Sequence, residues 1–232
     1  MLQHLKQKQK QLLEMRNDFY TARGTHVFFK DQLENEDIDV ERVVAKAESA
    51  IPDHLLAEFE MIVVGWFKEF EDRDINAFYK DGVLHVSSVQ DDEADMFDDI
   101  VHEIAHSVEE MYGYEVYGDQ NIRDEFLRKR QILHDKLWAL GFKAPSQWFM
   151  DTEYDREFEE FLFEKVGKDK LRMICMGLFI NAYAPVSLRE YFATGFTDYY
   201  LHQNHGFLAK VSPALAKKMN FLQDVKNLDN SP

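Results

Sequence analysis

The chain has 232 residues and a mass of 27.4 kDa, and 43 acidic against 27 basic side chains leave a formal charge of −16. A surface of that sign repels phosphate backbones, which argues against nucleic acid as a partner. Hydrophobic residues make up 45%, with 19 Phe and 10 Tyr, so a disordered chain is excluded, and the single cysteine, Cys175, excludes an internal disulfide framework and suits a reducing compartment.

The first residues, Met1 to Lys10, are polar and lack the apolar core of an export signal. The most apolar stretch, Met173 to Ile180, is far too short to span a membrane. The expectation is a cytoplasmic protein without a membrane partner. Leu5 to Tyr20 reads as a helix, with Leu12, Leu13, Met15 and Phe19 apolar, and so does Asp37 to Ala50, with Ile38, Val40, Val43, Val44 and Ala47. Residues 1–50 are therefore expected to form an N-terminal helical region, followed by one compact domain over 51–232.

The pattern then changes. Met61 to Phe67 is short, β-branched and aromatic, as a buried strand is. Asn76 to Ser88 reads as a hairpin turning at Lys80-Asp81-Gly82. The rest reads helical: Asp91 to Tyr112, Ile122 to Leu140, Ser146 to Val166, Lys170 to Ala182 with Cys175 as a small core residue, Ser187 to about Leu201, and a last helix opened by Ser212-Pro213 and ending near Val225. The fold class is α+β, mainly helical, with a small mixed sheet.

The sheet leads into His102-Glu103-Ile-Ala-His106. Residues four apart lie one turn apart on the same helix face, so both imidazoles can offer a nitrogen to one tetrahedral ion. Glu103 projects beside that face, where it can take a proton from a water activated by the ion. Asp99 and Glu109 share the histidine side; they are candidates to hold the far ring nitrogens, or simply solvated acids. A catalytic zinc needs a third protein ligand and an open position. The metzincin continuation is missing, since Glu109 and Tyr112 stand where Gly and His are required. The remaining candidates are Glu125, Glu159, Glu160, Glu190, His134 and His202. Glu190 also completes a capping box with Ser187, an alternative use of the same carboxylate.

His102-Glu-Ile-Ala-His106, followed by Glu190-Tyr-Phe-Ala-x-x-Phe196 with Tyr183 seven residues before that Glu, resembles the catalytic domain of the anthrax lethal factor family. That family shares its zincin-like fold with the bacterial Pro-Pro endopeptidases and belongs to the gluzincin zinc proteases. The resemblance covers residue 50 to the end. It implies Zn²⁺ held by His102, His106 and Glu190, Glu103 as general base and Tyr183 as the donor to the oxyanion. It departs from the family in the 84 positions between His106 and Glu190 and in Thr194, where an acid one turn after the third ligand is expected.

The activity expected is hydrolysis of peptide bonds in a peptide or protein substrate. The hairpin strand Gly82 to Ser88 is expected to be the edge strand over the motif helix, with the substrate laid along it. Two rivals stand: a non-catalytic zinc-binding or scaffold module, for which Glu103 would have no use, and a metal-assisted hydrolase of a non-peptide amide.

Overall fold

The computed structural model describes residues 18–57, 60–73 and 75–228. The architecture is α+β and mainly helical, with one five-stranded mixed sheet. Two compact units divide the chain, Met1–Ser107 and Val108–Pro232.

The first unit holds the sheet. Its strands are β1 (Phe19–Tyr20), β2 (His26–Phe29), β3 (Met61–Gly65), β4 (Ala77–Lys80) and β5 (Val83–Ser87), in the order β1-β2-β3-β5-β4. β2, β3 and β5 run parallel, and the outer pairs are antiparallel. Alternation fixes the core face: Ile62, Val64, Leu84 and Val86 are fully buried, while Met61, Val63, Val83 and His85 between them are half-buried. The helix expected from Leu5 falls outside the described residues as far as Asn17. Its last two positions, Phe19 and Tyr20, are strand rather than helix, because they pair with Val27 and His26. β2 went unforeseen, since His26-Val-Phe-Phe29 is too short to carry a period. Its pairing with β3 ties residues on both sides of position 50 into one sheet, so the division of the chain falls at 107/108 and not near 50.

Helix α1 (Val40–Ala50) buries Val40, Val43, Val44 and Ala47 at helical spacing, and Asp39 caps it by accepting from the Arg42 N–H at 3.0 Å. A short helix α2 (Lys68–Arg73) precedes the hairpin. The hairpin turns as its sequence implies, with Asp81 and Gly82 both left-handed (φ 50° and 81°). The edge assignment needs correction. β5 is an interior strand, paired through Val86 with Val64 of β3 and with Ala77 of β4. Both of its ladders are in use, and the strand at the sheet's end is β4.

Helix α3 (Glu93–Tyr117) opens on Asp92, whose carboxylate accepts from the N–H groups of Ala94 and Asp95 at 2.7 and 3.0 Å. It buries Met96, Phe97, Ile100, Val101, Ile104 and Ala105 in the first unit. The Lys46 ammonium lies 4.1 Å from the Phe97 ring centre and ties α1 to α3. The helix expected to end at Tyr112 is only interrupted there: Tyr112 leaves helical geometry (φ −115°, ψ 29°) and the helix resumes to Tyr117.

The second unit is helical. It contains α4 (Asn121–Ala139), α5 (Ser146–Met150), α6 (Arg156–Glu160), α7 (Lys168–Cys175), α8 (Leu188–Thr197), α9 (His205–Val211), α10 (Pro213–Leu222) and α11 (Val225–Leu228). Wider π-type turns extend α6 over Phe161–Gly167 and α8 over Asp198–His202. The single helix expected over Ser146–Val166 breaks at Asp151, which is extended, and Asp155 caps the new start by accepting from Phe158 N–H at 2.8 Å. The helix expected over Lys170–Ala182 stops at Cys175, ahead of Gly177 in the left-handed region. Cys175 is buried and its thiol is pushed up to about 12 by that burial, as befits a core residue. Gly195 permits a close crossing of α8 and α10: a Cβ there would stand 2.2 Å from a Leu215 methyl. Among the described residues, no helix is long and apolar enough to cross a membrane.

Candidate metal centre

The motif histidines sit one turn apart on α3, with ring centres 5.2 Å apart and planes inclined by 80°. His106 and Glu103 are buried and His102 is half-buried. Beneath them the uncharged run Ile100, Val101, Ile104 and Ala105 is fully buried and fixes which face the imidazoles present. The Glu103 carboxylate is held from the sheet: its Oε2 accepts from the backbone N–H of Tyr79 on β4 at 2.7 Å.

Glu190 comes from the other end of the sequence. It lies in the first turn of α8, where Ser187 caps the helix by accepting from the Glu190 N–H at 3.1 Å. That half of the capping box uses the backbone of Glu190, not its carboxylate. Two contacts link α8 to the C-terminal part of α3. Arg189 Nε lies 3.4 Å from the buried Glu109 carboxylate, and the Tyr117 and Phe192 rings meet edge-on at 6.2 Å. One ligand atom from each of His102, His106 and Glu190 lies within 4.8 Å of the others, and among the described residues this is the group of three that could hold a metal ion. Two imidazole nitrogens and one carboxylate oxygen are the donor set of an open zinc site, with a coordination position left for substrate or water. The residues therefore fit the ion.

The other acids and histidines considered as third ligand have different surroundings. Glu125 on α4 is buried and accepts from the Tyr191 hydroxyl at 2.8 Å and from the N–H groups of Ala214 and Leu215 at 2.8 and 3.3 Å. It thereby caps α10, the role expected of Ser212. Ser212 instead accepts from the buried Lys129 ammonium at 2.7 Å, and burial lowers that amine to about 8. Glu159 accepts from the Tyr154 hydroxyl, Glu160 pairs with Arg156, His134 lies beside Asp135, and His202 is 4.0 Å from Asp198.

Neither acid on the histidine side of α3 is freely solvated. Asp99 accepts from Gln90 Nε2 at 3.1 Å, and burial raises its carboxyl to about 6 against that hydrogen bond. Glu109 accepts from the Tyr117 hydroxyl and pairs with Arg189. Desolvation first, and then the Glu109 charge, hold the Tyr117 hydroxyl well above its ordinary range. Tyr183 lies in the turn before α8, its N–H on Asn181 Oδ1 at 2.9 Å and its half-buried ring 5.9 Å from that of Phe163. Thr194 is buried, and its hydroxyl has no hydrogen-bond partner.

Tyr79, Tyr117 and Arg189 are the site residues that sequence reasoning missed. Tyr79 acts through its backbone, which leaves no mark on residue type. The Glu109–Arg189 pair spans 80 positions, so no local spacing announces it. Comparison with known proteins finds no match to a family model, a curated protein or a solved structure.

Proposed function

We propose that the chain is a zinc-dependent endopeptidase of the gluzincin type, with His102, His106 and Glu190 as ligands, Glu103 as general base and Tyr183 as oxyanion donor. One observation carries the reading: Glu190, separated from the motif by 84 positions, offers its carboxylate within 4.8 Å of both histidines. A structural zinc site is closed by four protein ligands, whereas this group has three. A scaffold also has no use for a buried carboxylate next in sequence to a ligand histidine.

Zinc, when bound, supplies Lewis acidity that polarises a carbonyl and makes a water acidic. The protein's own groups do the rest. Glu103 accepts the proton of the attacking water and returns it to the nitrogen of the leaving amine. The Tyr183 hydroxyl donates to the oxygen that becomes negative on the scissile carbon, a bond that strengthens as charge develops. The substrate strand is assigned to β4, the edge strand, in place of Gly82–Ser88. Ser87 N–H donates to Asn76 O, so the pairing alternation turns the N–H and C=O of Ala77 and the C=O of Tyr79 away from β5, while the outward Tyr79 N–H goes to Glu103.

The test is metal content by mass spectrometry on protein purified without chelator, alongside cleavage of a mixed-sequence internally quenched peptide library. About one zinc per chain and loss of cleavage on chelation are expected. Protein that carries no zinc and takes up none would end the reading. Tyr183→Phe removes one hydroxyl and keeps the ring on Phe163; kcat should fall by about 10²–10³-fold with zinc content and KM nearly unchanged. A variant that keeps its rate makes Tyr183 a packing residue.

A further inference from the structure

The Glu103 carboxylate has two oxygens with different surroundings. Oε2 accepts from the Tyr79 backbone N–H at 2.7 Å, within the usual range for an amide donor to an ionised oxygen. That N–H is not a ladder donor. Asn76 pairs with Ser87 through hydrogen bonds, so Phe78–His85 and Lys80–Val83 are the next hydrogen-bonded pairs, and Tyr79 opposite Leu84 faces outward. An outward amide on an edge strand ordinarily goes to water. Here it goes to a carboxylate that is buried with only 8% of its residue surface exposed. The Tyr79 side chain is not needed for this. Its phenol oxygen folds back onto the hairpin turn and accepts from the Gly82 N–H at 3.2 Å.

We propose that the Tyr79 amide is a positioning donor for Glu103, anchoring one carboxylate oxygen to the edge strand so that the other faces the proton to be moved. The inference rests on the reading of Glu103 as general base. A glutamate side chain on a helix has three rotatable bonds, and an unanchored base spends its time in several rotamers. The anchor comes from a sheet whose β3–β5–β4 ladders are continuous, so the carboxylate is held by the rigid part of the unit. It also makes the strand assigned to the substrate the strand that sets the base.

Two measurements test this, and the first needs neither metal nor turnover. In amide hydrogen exchange on metal-free protein, Tyr79 should be protected in the wild type and exchange at least about tenfold faster in Glu103→Ala. Equal rates in the two proteins overturn the proposal. The second compares Tyr79→Pro with Tyr79→Phe. Proline is tolerated on an edge strand where the N–H points outward, and it deletes the donor; phenylalanine keeps it. The expected result is a kcat about 10- to 100-fold lower in Tyr79→Pro than in Tyr79→Phe, with zinc retention the same in both. Equal loss in both variants assigns the effect to the side chain and sinks the positioning role. If Tyr79→Pro fails to fold, the exchange experiment still decides. Failure of the general-base reading looks different, because Glu103→Gln would then be fully active whatever the Tyr79 amide does.

Discussion

Glu103→Gln should retain zinc and fold yet lose about 10²–10⁴-fold in turnover, the range expected for removal of a general base. Glutamine has the same shape, and its amide oxygen can still accept from the Tyr79 N–H that holds Oε2. What it lacks is the basicity to take a proton from water. The pairing of a preserved anchor with a lost base makes the substitution cleaner than Glu103→Ala, which would also leave the Tyr79 amide without its acceptor. The measurement is metal content and peptide-library cleavage on the same preparation. Intact zinc with near-complete loss of rate supports the assignment. A fully active Glu103→Gln removes Glu103 from the chemistry and with it the endopeptidase mechanism. Loss of zinc would instead mean that Glu103 contributes to the ligand shell, contrary to its place on the sheet side of α3.

What could be read from the sequence divides by the range of the interaction. The hairpin was legible because Asp81-Gly82 supplies two left-handed residues between alternating runs, a strictly local requirement. His102 and His106 were legible because a helix converts a spacing of four into one face. Glu190 could be nominated from its resemblance to a ligand helix but not placed. Within the second unit, α8 is held against the end of α3 by Arg189 on Glu109 and by Phe192 on Tyr117, contacts that span 75 residues or more and leave no local mark. The sheet order was hidden for the same reason. Nothing local tells β5 that β3 will pair on its other side, so the hairpin strand looked like an edge. Glu125 shows the opposite failure. It was a fair ligand candidate by type, and only the position of α10 shows that its two oxygens are committed to Tyr191, Ala214 and Leu215.

Glu190→Ala should release zinc as readily as His106→Ala does. A three-ligand site that loses one protein ligand binds far more weakly, and affinity should fall by well over the roughly 10- to 100-fold typical of losing a group that only orients a ligand. The competing use of Glu190 is as the acid of a helix cap. On that account zinc affinity is untouched and stability drops by roughly 1 kcal/mol. The two outcomes separate in one pair of measurements, chelator competition for zinc and thermal unfolding of the metal-free protein. Ser187 accepts from the Glu190 N–H, and alanine at 190 keeps that N–H, so the Ser187 bond survives the substitution. Metal-free Glu190→Ala should therefore unfold close to the wild type while holding zinc poorly. Glu190→Gln sharpens the comparison: it retains an oxygen and the side-chain length but not the charge, and should fall between alanine and wild type in zinc retention. Undiminished zinc binding by Glu190→Ala would return the search to Glu125, Glu159, Glu160, His134 and His202. None of these joins the histidines in a three-residue group among the described residues, so that result would overturn the metal-centre geometry itself.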